Sequence, residues 1–286
     1  MEVRRFEDPA AFFAHAAPFL ERREAEHNLL LGLRTRLEAD RHAFGPDDPY
    51  FAVLESGGEI VGAAWRTPPH GLGLSRIDDL AAVDALAEDV RELDLQGVIG
   101  PVAAAERFAQ LWQAETGLVG RIAVAERIYE AREAFPPDGV PGRYRPYAGG
   151  DHDLVAEWMD AFAAEALAAM PVGARETGAE FLARRAADVN GGLVVWEDDG
   201  RPVSAAGYGS PTPHGLRVGP VYTPPELRGK GYASALVGEL TARLLASGRR
   251  YCFLYTDLSN PTSNSIYQRV GYRPVSDVSL WRFDPA

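Results

Sequence analysis

Residues 221–234 read VYTPPELRGKGYAS, and the fold is most directly predicted from this stretch. Its apolar start indicates the end of a strand, its prolines a short loop, and its last residues the first turn of a helix. The loop carries the pattern Arg228-x-x-Gly231-x-Ala233, whose small residues would let a ligand approach the backbone closely. The first amides of a helix lack internal partners and lie at the positive end of its dipole. The stretch therefore predicts an anion site suited to a pyrophosphate, with Lys230 adding a positive charge.

Two better-known phosphate motifs do not fit this loop. Its Gly-Lys pair is not followed by Ser or Thr, and its glycine spacing differs from that of a P-loop. The dinucleotide fingerprint needs G-x-G-x-x-G and a following acidic residue, which the loop also lacks. An ordinary tight turn with a glycine helix cap would give a similar local sequence, so the loop alone leaves both interpretations open.

A second informative segment follows after one more predicted helix and strand. Residues 260–272 read NPTSNSIYQRVGY. The first segment resembles the R/Q-x-x-G-x-G/A motif of the GCN5-related N-acetyltransferases (GNATs), and the second resembles their N-x-x-(S/A)-x-x-x-Y-x-x-x-G-(F/Y) signature. The order and separation of the two motifs also match, and the resemblance covers about residues 142–283.

The resemblance implies an α/β (α+β) fold of two tandem GNAT-like domains, each a mixed, mostly antiparallel central sheet flanked by helices. We expect residues 1–137 to form a degenerate domain without the cofactor motif, and residues 138–286 to form the acetyl-CoA-binding catalytic domain. The boundary falls in residues 135–142, where three prolines and two glycines disfavour helix and strand and indicate a linker.

The first half repeats the element order of the second more faintly, which favours an internal duplication. Its second helix is predicted over about residues 24–39, with His27 and Asn28 as a pair on the helix surface and a substrate-facing pair as the alternative. Where the phosphate loop would follow, this half has Asp78-Asp79, whose charges would repel a pyrophosphate. We therefore expect this half not to bind CoA and instead to shape the substrate cleft.

The resemblance also implies acetyl-CoA as co-substrate, without a metal. The strand backbone at residues 221–223 would lie along the pantetheine arm, residues 229–234 would surround the pyrophosphate, and Asn260 would bond to the cofactor arm. The cofactor-binding residues implied in this way are Val221, Tyr222, Thr223, Arg228, Gly229, Lys230, Gly231, Tyr232, Ala233, Ser234, Asn260, Asn264 and Tyr267.

Tyr267 is also the implied catalytic proton donor to the leaving thiolate. A tyrosine hydroxyl can supply such a proton, although a helix-face aromatic packed into the core is the alternative. The implied reaction is direct attack of an amine on the acetyl thioester, with a backbone amide between two splayed strands holding the developing oxyanion.

The sequence does not single out the base that would take the proton of the amine. Residues 214–220 contain no carboxylate on the strand where many GNATs carry one. Asp257, just after the apolar strand 251–256, is our candidate, and its position also suits a carboxylate that only caps a loop. His214, Glu165 and deprotonation relayed by water are further alternatives.

These features favour an N-acetyltransferase that moves an acetyl group from acetyl-CoA to an amine of a small molecule or peptide. A non-catalytic acyl-CoA-binding sensor module is the alternative, favoured by the missing base and disfavoured by Tyr267. A longer acyl donor is a third hypothesis. The resemblance places acceptor specificity in residues 157–170 and in the N-terminal half.

Composition narrows the class of protein. Apolar residues make up 46% and charged residues 24% of the chain, which is typical of a globular protein. Residues 1–138 carry 14 arginines and 25 acidic residues, which argues against a nucleic-acid partner. No stretch approaches the ~20 apolar residues that span a bilayer, and the N-terminus does not resemble a signal peptide, so we expect a cytoplasmic protein without a membrane partner. The single cysteine, Cys252, excludes an internal disulfide, and no Cys/His cluster indicates a metal.

Overall fold

The protein is described by a computed structural model that covers residues 1–166 and 176–286. It divides into two compact units, one formed by Met1–Arg127 with Ser276–Ala286 and the other by Ile128–Val275. This division differs from the predicted boundary at residues 137 and 138. The reason is strand pairing, because the C-terminal strand hydrogen-bonds to a strand of the first unit. The expected roles of the two segments stay predictions.

The first half of the chain forms a strand, three helices, a hairpin and then alternating strands and helices. They are β1 (Glu2–Phe6), α1 (Pro9–Leu20), α2 (Asn28–Leu31), α3 (Arg34–Ala39), β2 (Tyr50–Ser56), β3 (Glu59–Arg66), β4 (Leu72–Leu74), α4 (Ala81–Asp89), β5 (Gly97–Pro101), α5 (Val102–Thr116) and β6 (Val119–Ala131).

The second half begins after the predicted linker, in which no residue from 132 to 142 lies in a helix or strand. Its elements are β7 (Arg143–Pro146), α6 (His152–Ala166), α7 (Gly178–Ala187), β8 (Gly192–Asp198), β9 (Arg201–Gly209), β10 (Gly215–Tyr222), α8 (Tyr232–Ala246), β11 (Tyr251–Asp257), α9 (Pro261–Arg269) and β12 (Arg273–Asp284). Leu167 and Met170, which the sequence places at the end of the first of these helices and in the acceptor region, lie outside the described residues.

Each unit contains a mixed, mostly antiparallel sheet flanked by helices, which confirms the predicted fold class. The strand order is β1-β2-β3-β4-β5-β12 in the first unit and β7-β8-β9-β10-β11-β6 in the second. The fourth and fifth strands of each order pair in parallel, β4 with β5 and β10 with β11. The preceding strands pair antiparallel in both units.

The sheet of the second unit separates two apolar layers by simple alternation along its strands. On β8, Val194 and Trp196 pack with α8, whereas Leu193 and Val195 pack with α6 and α7. Successive side chains of a strand point to opposite faces, so one run of apolar residues serves both layers. The hairpin from β8 to β9 turns at Asp199-Gly200, where both residues have positive φ, as a two-residue Asp-Gly hairpin turn requires.

The predicted helix over residues 24–39 is wrong, because the chain forms the short helices α2 and α3 there. His27 and Asn28 are 2% and 0% exposed, so the expected surface pair is also wrong. His27 Nδ1 lies 2.8 Å from the Leu20 carbonyl oxygen, and Asn28 Nδ2 donates to the Ala25 carbonyl at 2.7 Å. Side chains that bond nearby backbone groups compete with continuous helix, and this pair lies at the start of α2, after the first break. A second break separates α2 from α3 at Gly32 and Leu33.

Neither a membrane span nor a metal cluster occurs among residues 1–166 and 176–286. None of their helices is both long enough and apolar enough to cross a membrane. They also contain no group of three or more His, Cys, Asp or Glu side chains that could hold a metal ion.

Candidate active site

The parallel strands β10 and β11 separate partway along their length. Their ladder pairs run from Gly215 with Tyr251 to Arg217 with Phe253, and within the described residues no later pair joins them. Both strands nevertheless continue, to Tyr222 and to Asp257. The pairing of β10 with its other neighbour, β9, is also irregular between residues 218 and 221. The edge of β10 that faces β11 is therefore available to a ligand beyond Arg217.

The loop that follows β10 has the backbone of an anion site. Gly229 and Gly231 have φ of 79° and 86°, the left-handed region that favours glycine. Turns of this kind can line a concavity with successive N–H groups. Helix α8 begins directly after Gly231, and no side chain caps its first turn. A Cβ added at Gly229 would meet no atom within 4 Å, and Lys230 is exposed beside it. The loop is therefore open at Gly229, whereas a Cβ added at Gly231 would meet the side chain of Val140 at 3.2 Å.

The first residues of α8 offer a ligand at the loop their backbone groups and not long side chains. The Tyr232 side chain is buried in the core, and its hydroxyl donates to Asp198 Oδ2 at 2.6 Å. Only the backbone of Tyr232 can therefore serve a ligand at the loop. Ala233 and Ser234 are small and half-buried in the same turn. This matches the small residues that a close approach of phosphate to the backbone requires.

The end of β10 is held by polar side chains of neighbouring elements. The Ser204 hydroxyl lies 2.8 Å from the Thr223 hydroxyl and donates to the Tyr222 carbonyl at 2.9 Å. Val221 is half-buried and packs against the α8 side of the sheet. These contacts fix the strand end that would lie along the pantetheine arm.

Arg228 joins the loop to helix α6. Its Nε donates to the Thr223 carbonyl at 2.9 Å, and its Nη2 donates to the two carboxylate oxygens of Glu165 at 2.9 and 3.1 Å. The guanidinium also lies 5.6 Å from the centre of the Tyr222 ring. The Tyr222 hydroxyl donates to Glu165 Oε1 at 3.2 Å. Burial, followed by the Glu165 charge, raises the pKa of Tyr222.

Sequence reasoning gave Glu165 little weight as a site residue. Glu165 lies 57 residues before Tyr222 and 63 before Arg228. No local pattern links positions so far apart. The sequence signal that could have drawn attention to it is the lack of a carboxylate in residues 214–220.

The start of α9 is organised by two asparagines of the second motif. Asn260 caps the helix, with its Oδ1 accepting from the Ser263 amide at 3.0 Å. Asn264 Nδ2 donates to the carbonyls of Asp257 and Asn260 at 2.9 and 2.7 Å. Asn264 Oδ1 accepts from the buried Tyr129 hydroxyl at 2.9 Å. The side chain of Asn264 is thus engaged by the protein itself and supports the loop between β11 and α9.

Asp257 and His214 are two of the candidates for the base. The hydrogen bond of Asp257 and the position of His214 do not favour that role. Asp257 Oδ1 accepts from the Ser259 amide at 2.7 Å, which is the loop-capping alternative. His214 immediately precedes β10, at the opposite end of the strand from Tyr222. At the usual rise of a strand, this places it about 25 Å away along the chain.

Tyr267 lies on α9 between two other tyrosines. Its ring centre is 6.5 Å from that of Tyr129 and 6.1 Å from that of Tyr272. Among the described residues, its hydroxyl has no hydrogen-bond partner. Burial raises the pKa of Tyr267 to about 12, although part of its side chain reaches the surface. The hydroxyl therefore stays protonated at neutral pH, as a proton donor must.

The corresponding position of the first unit is already occupied by protein. Asp79 Oδ1 accepts from the Ala81 amide at 3.0 Å at the start of α4. The neighbouring Asp78 pairs with Arg76. The Asp79 carboxylate therefore bonds to the start of α4, whereas the second unit has a glycine loop at the start of α8.

Comparisons with known proteins bear on the family and the fold. Residues 155–272 match the model of the acetyltransferase (GNAT) family. No curated protein matches the chain. Among solved structures, the chain is similar to a Drosophila protein, with 14% identity, 99% of this chain and 98% of that chain covered, and a TM-score of 0.64.

Two further similar structures carry a printed family name. One is a GCN5-related N-acetyltransferase from Sphaerobacter thermophilus, with 17% identity, 98% and 95% of the two chains covered, and a TM-score of 0.58. The other is an acetyltransferase of the GNAT family from Colwellia psychrerythraea, with 12% identity, 99% of each chain covered, and a TM-score of 0.52. At such identities these likenesses show the fold, and they do so over almost the whole chain.

Proposed function

Because the chain carries a domain of the GNAT acetyltransferase family at residues 155–272, we propose that it transfers an acetyl group from acetyl-CoA to a primary amine of a small molecule or a peptide. The observation that carries the proposal is the open glycine loop at the start of α8, directly after the strand that parts from its neighbour. The glycine loop suits a pyrophosphate, and the edge of β10 that faces β11 suits an extended arm with a thioester.

The residues present fit such a donor substrate. The amides of residues 229–234 and the positive end of the α8 dipole would hold the pyrophosphate, with Lys230 adding a full charge. The free edge of β10 would bond the pantetheine amides, as a neighbouring strand otherwise does. Acetyl-CoA supplies an activated acyl group whose leaving group is a thiolate. A backbone amide between the separated strands would hold the oxyanion that develops during attack.

Tyr267 is the proposed proton donor to that thiolate. Its pKa of about 12 keeps the hydroxyl protonated across the usual assay range. Among the described residues no group competes for its proton, so the hydroxyl is available to a substrate. A positioned acid of this kind contributes about 100-fold or more to a rate.

The first unit is not proposed to bind CoA. The Asp79 carboxylate already accepts a hydrogen bond from the Ala81 amide, which a phosphate at this position would need, and Asp78 lies beside it. Like charges repel, so a pyrophosphate at this position would be disfavoured. We propose one donor site per chain.

The test is release of CoA from acetyl-CoA in the presence of a panel of primary amines, followed with a thiol reagent. The panel contains ethanolamine, glycine, spermidine, glucosamine and a tetrapeptide with a free N-terminus. We expect amine-dependent release by the wild type and a fall of about 100-fold in kcat for Tyr267→Phe. The control is Tyr251→Phe, which changes a tyrosine at the other end of β11 and should leave kcat unchanged. Binding of acetyl-CoA without release for any amine would contradict catalysis and favour a non-catalytic sensor.

A further inference from the structure

Glu165 is the last but one described residue of α6, and its carboxylate contacts two parts of the candidate site. It accepts from the Tyr222 hydroxyl, at the end of β10, and from Arg228, in the glycine loop. The side chains of Glu165 and Arg228 are each about half exposed, at 49% and 48%. The carboxylate is therefore held in place by the protein and still open to a ligand.

Glu165 differs from the other candidate carboxylates near the end of β10 in what it contacts. Residues 214–220 of the strand supply no carboxylate, and Asp257 is bonded to the loop amide of Ser259. Among the described residues, Glu165 is the carboxylate that hydrogen-bonds to side chains of both Tyr222 and Arg228. A cationic acceptor that approached the end of β10 would meet this negative charge.

We propose that Glu165 is the carboxylate that receives the protonated amine of the acceptor and takes its proton. This inference rests on the proposed function. Glu165 removes one proton from the ammonium group, and the amine nitrogen then forms a bond to the thioester carbonyl carbon, whose electron pair moves to the oxygen. The carbon–sulfur bond breaks as the carbonyl forms again. Tyr267 protonates the thiolate, and the second proton lost by the nitrogen returns to the tyrosine through solvent. Glu165 finally passes its own proton to water.

Arg228 holds this carboxylate in place. Its guanidinium donates to the Thr223 carbonyl and to Glu165, so it fixes the carboxylate beside the end of β10.

The experiment compares Glu165→Gln with the wild type in two reactions. One uses the alkyl amine of the panel that the wild type acetylates fastest. The other uses hydroxylamine, which is largely unprotonated near pH 8 and needs no base, with the uncatalysed reaction subtracted. We expect kcat/KM for the alkyl amine to fall about 100-fold and that for hydroxylamine to change less than about 3-fold. The alkyl amine reaction of the variant should recover as the pH rises toward the pKa of the free amine.

The control is Asp153→Asn, which removes an exposed carboxylate from the first turn of the same helix, about 18 Å away along its axis. It should leave both reactions unchanged, and acetyl-CoA affinity should be the same in all three proteins. Equal losses in the two reactions of Glu165→Gln, or no loss in either, would overturn the inference. So would loss of the alkyl amine reaction in Asp257→Asn with Glu165→Gln unaffected. A wild type that binds acetyl-CoA but acetylates neither probe would overturn the proposed function and this inference with it.

Discussion

At the scale of single residues, amide side chains hold the loop between β11 and α9. Asn264 bonds to two carbonyls and to the Tyr129 hydroxyl, so it acts on the protein's own backbone. Asn260 caps α9 through its Oδ1 oxygen. The family resemblance gives Asn260 a second role, which would fall to its amide group. The two roles can be separated by substitution because they use different atoms.

Asn260→Asp keeps an oxygen that can cap the helix and removes the amide donor. We expect it to retain the stability of the wild type and to lose about 10-fold in acetyl-CoA affinity, the effect of one hydrogen bond. Asn260→Ala should lower the free energy of unfolding by about 1 kcal/mol, since alanine cannot cap. Urea unfolding and calorimetric titration measure the two effects. Unchanged affinity in Asn260→Asp would show that Asn260 only caps the helix.

At the scale of elements, local patterns predicted most of the second unit and failed where distant parts of the chain pair. Helix α8 begins at Tyr232, within the stretch where the sequence predicts the first turn of a helix, because the glycine loop before it is a local feature. The placement of β12 beside β5 was not predicted. It joins segments that are far apart along the chain, and apolar alternation alone does not specify a partner strand.

The same reasoning explains which parts of the site were predicted. The glycine loop and the second motif are contiguous in sequence, and the structure gives both glycines the left-handed conformation that the loop needs. Glu165 reaches the site only through tertiary packing of α6 on the sheet. The break at His27 was also missed, because it depends on buried hydrogen bonds to carbonyl groups that composition does not reveal.

At the scale of the whole molecule, buried titratable groups give the stability a dependence on alkaline pH. Cys252 is fully buried, and burial raises its pKa to about 12. An unfolded thiol ionises near pH 8.5, so above that pH the unfolded state binds fewer protons than the folded state. The contribution of Cys252 to stability is therefore complete below about pH 8.5 and is lost as the pH rises toward 12.

Comparison of the wild type with Cys252→Ala isolates this contribution. The substitution also leaves a small cavity, whose cost does not depend on pH. Near pH 10 we expect the free energy of unfolding to fall more steeply in the wild type, by up to about 1.4 kcal/mol per pH unit. Urea unfolding at several pH values under reducing conditions measures the two slopes. Parallel slopes would contradict the account of a thiol kept protonated by burial.

We propose that the glycine loop at the start of α8 binds acetyl-CoA once per chain. This can be measured by calorimetric titration of acetyl-CoA into wild type, Gly229→Glu and Gly248→Glu. Gly229 and Gly248 both have positive φ and open space around an added Cβ, so the two substitutions carry similar strain and differ in location. We predict one site per chain in the wild type and in Gly248→Glu, and loss of binding in Gly229→Glu, whose carboxylate would lie where the pyrophosphate binds. Equal binding by all three proteins, two sites per chain, or no binding to the wild type would contradict the claim.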